Sequence, residues 1–248
     1  MVEWEALLEA APPIKLTGAL QRLVENQEQI ATNQLVGSLA RQAILEEMLE
    51  SSKPPLPHAA QRLHYLLATP FRYPPLKHGS RFGKRTEPSL LYGAIETRTV
   101  LAEAAYYRFV FWYGMVTPPC AKVDTQHTLF GARYQAARGV RLQNPPFIVY
   151  QQTLTHRWQY NASQGLGAQM RAAGIEAFEY RSARDQGPGI NVALFTPKAL
   201  AARRPTFQEP WLCELTAEHV RFQAVHQKDQ YHFALAGFQV GDQPPWSS

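Results

Sequence analysis

The stretch Gly79–Arg108, GSRFGKRTEPSLLYGAIETRTVLAEAAYYR, changes its pattern twice within a short length of chain. It opens as a basic loop, with Arg81 between Gly79-Ser80 and Phe82-Gly83. A short apolar run from Ser89 to Ala94 then reads as a strand, with Tyr92 eleven residues after Arg81. Glu96 to Tyr113 reads as a helix rich in alanine, with Thr97 or Thr99 available as its cap. Glu103 falls eleven residues after Tyr92, among alanines, leucine and tyrosines. A loop, a strand and a helix in such close succession predict an α+β fold, a mixed β core with flanking helices, rather than a regular alternation of strand and helix.

Upstream, residues 14–52 read as helical. Leu16, Leu20, Leu23 and Val24 recur at helical spacing, as do Leu35, Leu39, Ile44, Met48 and Leu49. Ser51-Ser52-Lys53-Pro54-Pro55-Leu56-Pro57 ends that region, because proline lacks the amide hydrogen and disfavours helix in its predecessor. The division expected is an N-terminal helical extension and linker over 1–57 and a main domain over 58–248. Downstream, residues 118–146 are mixed, with loop signals at Pro118-Pro119 and Asn144-Pro145-Pro146. Phe147–Tyr150 reads as a short strand, and Ser163–Ala173 as a helix stopped by Gly174. Ile175–Tyr180 and Asn191–Phe195 read as strands flanking a polar loop from Arg181 to Gly189. In the tail, Val220, Phe222 and Ala224 alternate with polar residues, as do Tyr231, Phe233 and Leu235, which predicts a β-hairpin.

Composition narrows the function classes. The chain has 248 residues, 45% hydrophobic and 18% charged, which suits a folded domain and not a disordered one. A net charge of +5 favours anionic small ligands, while the dense basic patches of nucleic-acid binders are missing. Two cysteines without a CxxC pair argue against a disulfide framework or a structural zinc site. The acidic start MVEWEALLEAAPP lacks a secretion core, and the longest strongly apolar run, Phe109–Val116, is well short of the roughly 20 residues of a membrane span. A cytoplasmic protein with no membrane partner is the expectation. Gly165-Leu166-Gly167 lacks the third glycine of a dinucleotide fingerprint, since Met170 stands there. The histidines show no metal-ligand spacing, and Asp124-x-x-His127 reads as structural.

Each candidate site residue has an ordinary reading beside a chemical one. Glu103 is either a satisfied carboxylate on a helix face or a fixed anion facing a sugar ring that becomes cationic as an N-glycosidic bond breaks. Arg81 is either part of a solvated basic loop or a bidentate grip on pyrophosphate, with Arg72, Lys77, Lys84 and Arg85 near it in sequence. Tyr92 is either a core aromatic or a plate for a flat heterocycle. Ser182 follows a strand without a Gly-x-Ser-x-Gly elbow, so it is a loop serine or a hydrogen-bonding group for a ligand, not a hydrolase nucleophile.

Phe71-Arg72, Gly79-Ser80-Arg81-Phe82-Gly83, Leu91-Tyr92-Gly93-Ala94, Leu101-Ala102-Glu103 and Tyr106-Tyr107-Arg108 together resemble the RES domain, named for its arginine, glutamate and serine. Tyr180-Arg181-Ser182-Ala183-Arg184 and Gly189–Phe195 are similar to its serine-bearing block, and the likeness runs over about 64–215. The resemblance implies an ADP-ribosyltransferase-like fold and a bacterial toxin that depletes NAD at the nicotinamide–ribose bond, with water or inorganic phosphate as acceptor. It places the arginine at Arg81, with Arg72 as the alternative, the tyrosine at Tyr92, the glutamate at Glu103 and the serine at Ser182. All four are then catalytic, and Arg81, Tyr92, Ser182 and Arg72 bind NAD, with no metal and no further cofactor. It also implies an Xre-like antitoxin as partner and contact with DNA only through that antitoxin. The resemblance does not reach residues 14–52, which would pack on the main domain, on a second copy in a homodimer, or on a partner. Two other readings stay open: ADP-ribosyl transfer to a macromolecule, against which Leu101 stands two positions before Glu103 where an acidic residue would serve transfer to arginine, and a non-catalytic interaction module.

Overall fold

The computed structural model describes residues 2–26, 38–75 and 77–239. Leu35, part of the expected helical pattern, lies outside them. The segment expected to open that pattern is a strand. Ile14–Glu25 forms β1, antiparallel to the long strand β3 (Val123–Arg141), from Ile14 opposite Gly139 to Glu25 opposite His127. The helical reading failed because leucines four apart fit both periods: Leu16 and Leu20 fall on one face of a strand as readily as on one face of a helix. Both are fully buried, and they lie opposite Ala136 and Ala132 of β3. Small side chains on the long strand leave room for the leucines of the short one.

β3 is also longer than residues 118–146 suggested. Its interior is rich in alanine and glycine, which are poor strand formers, and pairing on both edges overrides that preference. It organises the sheet. One edge of β3 pairs with β1; the other pairs with β6 (Phe207–Leu215) along its first half and runs parallel to β4 (Ala177–Arg181) at its end. β4 pairs with β5 (Ile190–Leu194), β5 with β2 (Leu91–Ala94), and β2 with β1 at Gln21 and Ala94. The ladder β1-β2-β5-β4-β3 therefore closes on itself, and β6, β7 (His219–Ala224) and β8 (Gln230–Ala234) extend it as an antiparallel sheet. This is the expected mixed α+β class, with β1 inside the sheet and not in an extension. The β7–β8 hairpin is where the alternation predicted it, with Val220 opposite Phe233.

Leu16, Leu20, Leu91, Phe130, Val192 and Leu194 fill one face of the closed ladder. Within that set Tyr134 donates a hydrogen bond to Glu179 Oε1 at 2.9 Å, and Arg141 Nε holds Oε2 at 3.0 Å, which satisfies a buried carboxylate.

Among the described residues there are six helices: α1 (Trp4–Ala10), α2 (Leu39–Ser52), α3 (Tyr65–Arg72), α4 (Thr97–Tyr113), α5 (Gln151–Leu154) and α6 (Asn161–Ala172). Phe147–Tyr150, expected as a strand, is a 3-10 turn leading into α5. Phe147 is buried there, while Ile148 and Val149 face outward, so a short apolar run packs through one anchor and not through alternate residues. α6 ends just ahead of Gly174, as predicted. No helix among the described residues is long and apolar enough to cross a membrane.

Candidate active site

Three segments meet at Glu103: the helix that carries it, the turn after β4 and the strand β5. The carboxylate projects from the second turn of α4, whose Leu101, Ala102, Ala105, Tyr106 and Phe109 are buried against the sheet. Neither Thr97 nor Thr99 caps the helix. Glu96 occupies the cap position without a side-chain bond. Thr97 Oγ1 donates to Gln21 Oε1 at 2.8 Å and Thr99 Oγ1 to Asp185 Oδ2 at 2.7 Å, so both threonines tie the helix start to neighbouring segments.

Ser182, just beyond β4, donates its hydroxyl hydrogen to Glu103 Oε1 at 2.6 Å. The same hydroxyl oxygen accepts from the backbone N–H of Arg184 at 3.1 Å and of Asp185 at 3.0 Å. Asn191 of β5 donates to the same carboxylate oxygen at 2.7 Å. Among the described residues nothing bonds Oε2. Glu103 is thus clamped through one oxygen and offers the other, on a half-buried side chain.

Arg81 stands at the tip of a tight turn. Ser80 and Gly83 pair across it, and Gly79 enters it at φ +72°, the left-handed region that glycine tolerates best. Phe82 is the anchor, buried edge-on against Phe178 and Tyr180. The turn rests on α6 at Gly167, where a Cβ atom would lie 2.0 Å from the Phe82 carbonyl oxygen. Gln164 of α6 donates to the Ser80 carbonyl at 3.0 Å. Gly167 of the Gly-Leu-Gly run in α6 thus serves close packing against the arginine turn, while Gly165 faces Trp4 at ordinary contact distance.

Tyr92 supports the same turn. Its hydroxyl shares a 2.8 Å hydrogen bond with Ser80 Oγ and accepts one from the Phe82 N–H at 3.2 Å. Burial pushes its phenol up, and those hydrogen bonds offset part of the effect. Arg81 Nη1 donates to the carbonyls of Leu154 (3.0 Å) and His156 (2.8 Å), and its guanidinium lies 4.7 Å from the centre of the Tyr160 ring.

A continuous set of contacts joins Arg81 to Glu103. Tyr160 Oη accepts from Arg184 Nη2 at 3.1 Å; the backbone of Arg184 holds Ser182; Ser182 holds Glu103. Tyr180 lies within the field of all three groups. Its phenol is raised well above its ordinary range by burial first, then by the negative charge of Glu103, against a smaller lowering from Arg81. Arg81, Tyr92, Glu103 and Ser182 are therefore brought to one region. Arg72 is turned to the linker instead, with Nε donating to the Pro54 carbonyl at 2.6 Å at the end of α3.

The site also contains residues that the sequence reading did not single out. Asn191 is buried in the otherwise apolar strand Ile190–Leu194, and that lone amide was the available signal. Arg157, Tyr160 and Arg184 carried no signal of spacing. Arg184 is buried, with its guanidinium 3.4 Å from the centre of the Tyr106 ring. Beside these residues lies a cleft of about 810 Å³, lined among others by His156, Trp158, Gln159 and Tyr160. A second cavity of about 490 Å³, between Lys15, Glu176 and Lys198, shares no residue with the network.

Among curated proteins none matches this chain in sequence. In structure the chain is similar to one in the crystal structure of the M. tuberculosis MbcT–MbcA toxin–antitoxin complex, with a TM-score of 0.46 and 10% identity over 86% of this chain and 92% of the other. The RES domain model matches residues 55–222, more than half of the sequence, and the chain belongs to the RES domain family.

Proposed function

We propose that this protein is a toxin of a toxin–antitoxin pair that cleaves NAD at the nicotinamide–ribose bond. The observation that carries the reading is the state of Glu103: Oε1 is fixed by Ser182 and Asn191, while Oε2 has no partner among the described residues. As nicotinamide departs, positive charge grows on the ribose ring. A carboxylate already oriented stabilises that charge without reorganising at the moment of reaction. Two donors on one oxygen prevent Glu103 from swinging toward the nearby arginines. Nicotinamide leaves as a neutral base, so the chemistry asks for no strong acid. Water or inorganic phosphate attacks the anomeric carbon. Arg81 holds the pyrophosphate on a turn that Tyr92 and α6 make rigid, and the exposed part of the Tyr92 ring borders the nicotinamide ribose. An antitoxin of the Xre-like class is the partner that this reading requires.

The test is product analysis by mass after incubating the purified protein with NAD, with and without phosphate. Free nicotinamide together with ADP-ribose or its phosphate is the expected result. Label from NAD on a macromolecule, or no nicotinamide release, would overturn the reading.

A further inference from the structure

Two guanidinium groups meet at Tyr160, and a third, that of Arg157, lies within electrostatic range of one of them, Arg184. Arg81 lies over the ring at 4.7 Å; Arg184 donates to the Tyr160 hydroxyl and to the carbonyl of Arg157; Arg157 Nη1 donates to the Gln239 carbonyl at 2.8 Å. Every hydrogen bond these side chains make goes to a backbone carbonyl or a phenol, and among the described residues none pairs with a carboxylate. Arg184 is about 95% buried, at 5% exposure, and among the described residues its Nη1 has no acceptor. Of the nearby carboxylates, Glu103 has one oxygen already occupied by Ser182 and Asn191.

Asp185, the other carboxylate of this network, is engaged by Thr99 and Arg98, so Arg81, Arg157 and Arg184 against Glu103 leave an excess of positive charge in a partly desolvated place. Burial holds the Arg157 guanidinium below its ordinary range, and repulsion from Arg184 lowers it further. Such an arrangement is unfavourable unless an anion completes it, and a doubly charged oxyanion matches the excess. The cleft lined by His156, Trp158 and Tyr160 opens beside the cluster, with aromatic surface for a base.

Resting on the NAD reading above, we infer that Arg157 and Arg184 act with Arg81 as the diphosphate-binding site, so that the substrate is a complete dinucleotide whose adenosine half occupies the His156–Trp158 cleft. Arg81 and Arg157, both half-buried, contact the phosphoryl oxygens. Arg184, beneath them, positions Tyr160 and supplies charge from below.

The experiment is calorimetric titration with inorganic pyrophosphate and with orthophosphate, on the whole chain and on Arg157→Gln and Arg184→Lys, each checked for folding by thermal melting. Pyrophosphate should bind the parent more tightly than orthophosphate and lose at least tenfold in affinity in Arg157→Gln. Arg184→Lys keeps the charge but not the fork, and serves as the second variant if Arg157→Gln does not fold. In parallel, nicotinamide release is measured from NAD and from nicotinamide riboside, which has no phosphate. The ratio of their kcat/KM values should fall at least tenfold in Arg157→Gln. Unchanged pyrophosphate affinity and an unchanged ratio would overturn the inference while leaving NAD cleavage standing. Pyrophosphate binding that weakens in the variants of a protein that cleaves neither substrate would support the oxyanion site and reject the NAD reading.

Discussion

Ser182 donates to Glu103 Oε1 across 2.6 Å, although 79 residues separate the two in the chain. The hydroxyl is held by the N–H groups of Arg184 and Asp185, so its hydrogen has one direction left to point. Ser182 is therefore part of the carboxylate's orientation. Its loop is tied to the start of α4 through Asp185 and Thr99, and one element positions both partners.

Removing that hydroxyl should weaken catalysis without unfolding the protein. A hydrogen bond to a charged group contributes about 1.5–3 kcal/mol, so Ser182→Ala should lower kcat/KM for NAD roughly 10- to 100-fold. Glu103→Gln should cost on the order of 10²–10³ in kcat, as for other deleted charge-stabilising groups. Because the two act through one contact, Ser182→Ala on the Glu103→Gln background should change the rate by much less than it does alone. Additive losses in steady-state kinetics of the four proteins would show that Ser182 works independently of Glu103.

Gly167 fixes the height of the arginine turn over α6. A Cβ there would lie 2.0 Å from the Phe82 carbonyl oxygen, which is backbone and cannot rotate away. Gly167→Ala should destabilise the fold by about 1–3 kcal/mol through overpacking, despite alanine's better helix propensity. Urea unfolding measures this directly. The variant should also raise KM for NAD, since Arg81 moves with the turn. Gly165→Ala is the control: its nearest neighbours are ring atoms of Trp4 at 3.7 Å, an ordinary contact, so stability should hold or rise slightly.

The loop–strand–helix order around Arg81, Tyr92 and Glu103 was legible because each element changes the residue pattern locally. The convergence of these residues was not, since it depends on register: Ala94 opposite Asn191, and Asn191 opposite Tyr180, which stacks three strands beneath Glu103. Arg157 and Arg184 were invisible for the same reason. Their partners are backbone carbonyls, and any residue type supplies those. β1 failed for a different cause, the shared spacing of strand and helix for leucines four apart. Its role follows from the structure: it closes the ladder between β2 and β3, and its Arg22 donates to the Tyr92 carbonyl at 2.7 Å.

A chain beginning at residue 53 should therefore fail to give a stable domain, although the RES match begins at 55. Without β1, the edge of β3 from His127 to Gly139 is unpaired and the face containing Phe130 and Tyr134 is uncovered. Such an edge invites aggregation. Solubility and circular dichroism of the truncated chain, beside one lacking only α1, provide the check. A soluble, cooperatively unfolding protein from residue 53 onward would show that β1 is dispensable.

His127 gives the fold a dependence on pH that is separate from catalysis. The imidazole is buried in β3, with one nitrogen sharing a 2.9 Å hydrogen bond with Thr125 Oγ1. Burial holds its pKa down to about 4, with a further lowering from Arg108 and a smaller raising from Glu25. The unfolded chain protonates near pH 6.5, so below that pH it binds a proton that the folded state refuses. The stability is fully present above pH 6.5 and is lost as the pH falls toward 4, by about 3 kcal/mol in all. Denaturant unfolding of the parent between pH 7 and 4 should show that decline beyond the general effect of the carboxylates. His127→Gln keeps a polar group but cannot take up the proton, so its stability should fall less steeply over the same interval. Parallel curves for the two proteins would mean that His127 protonates in the folded state as easily as in the unfolded one.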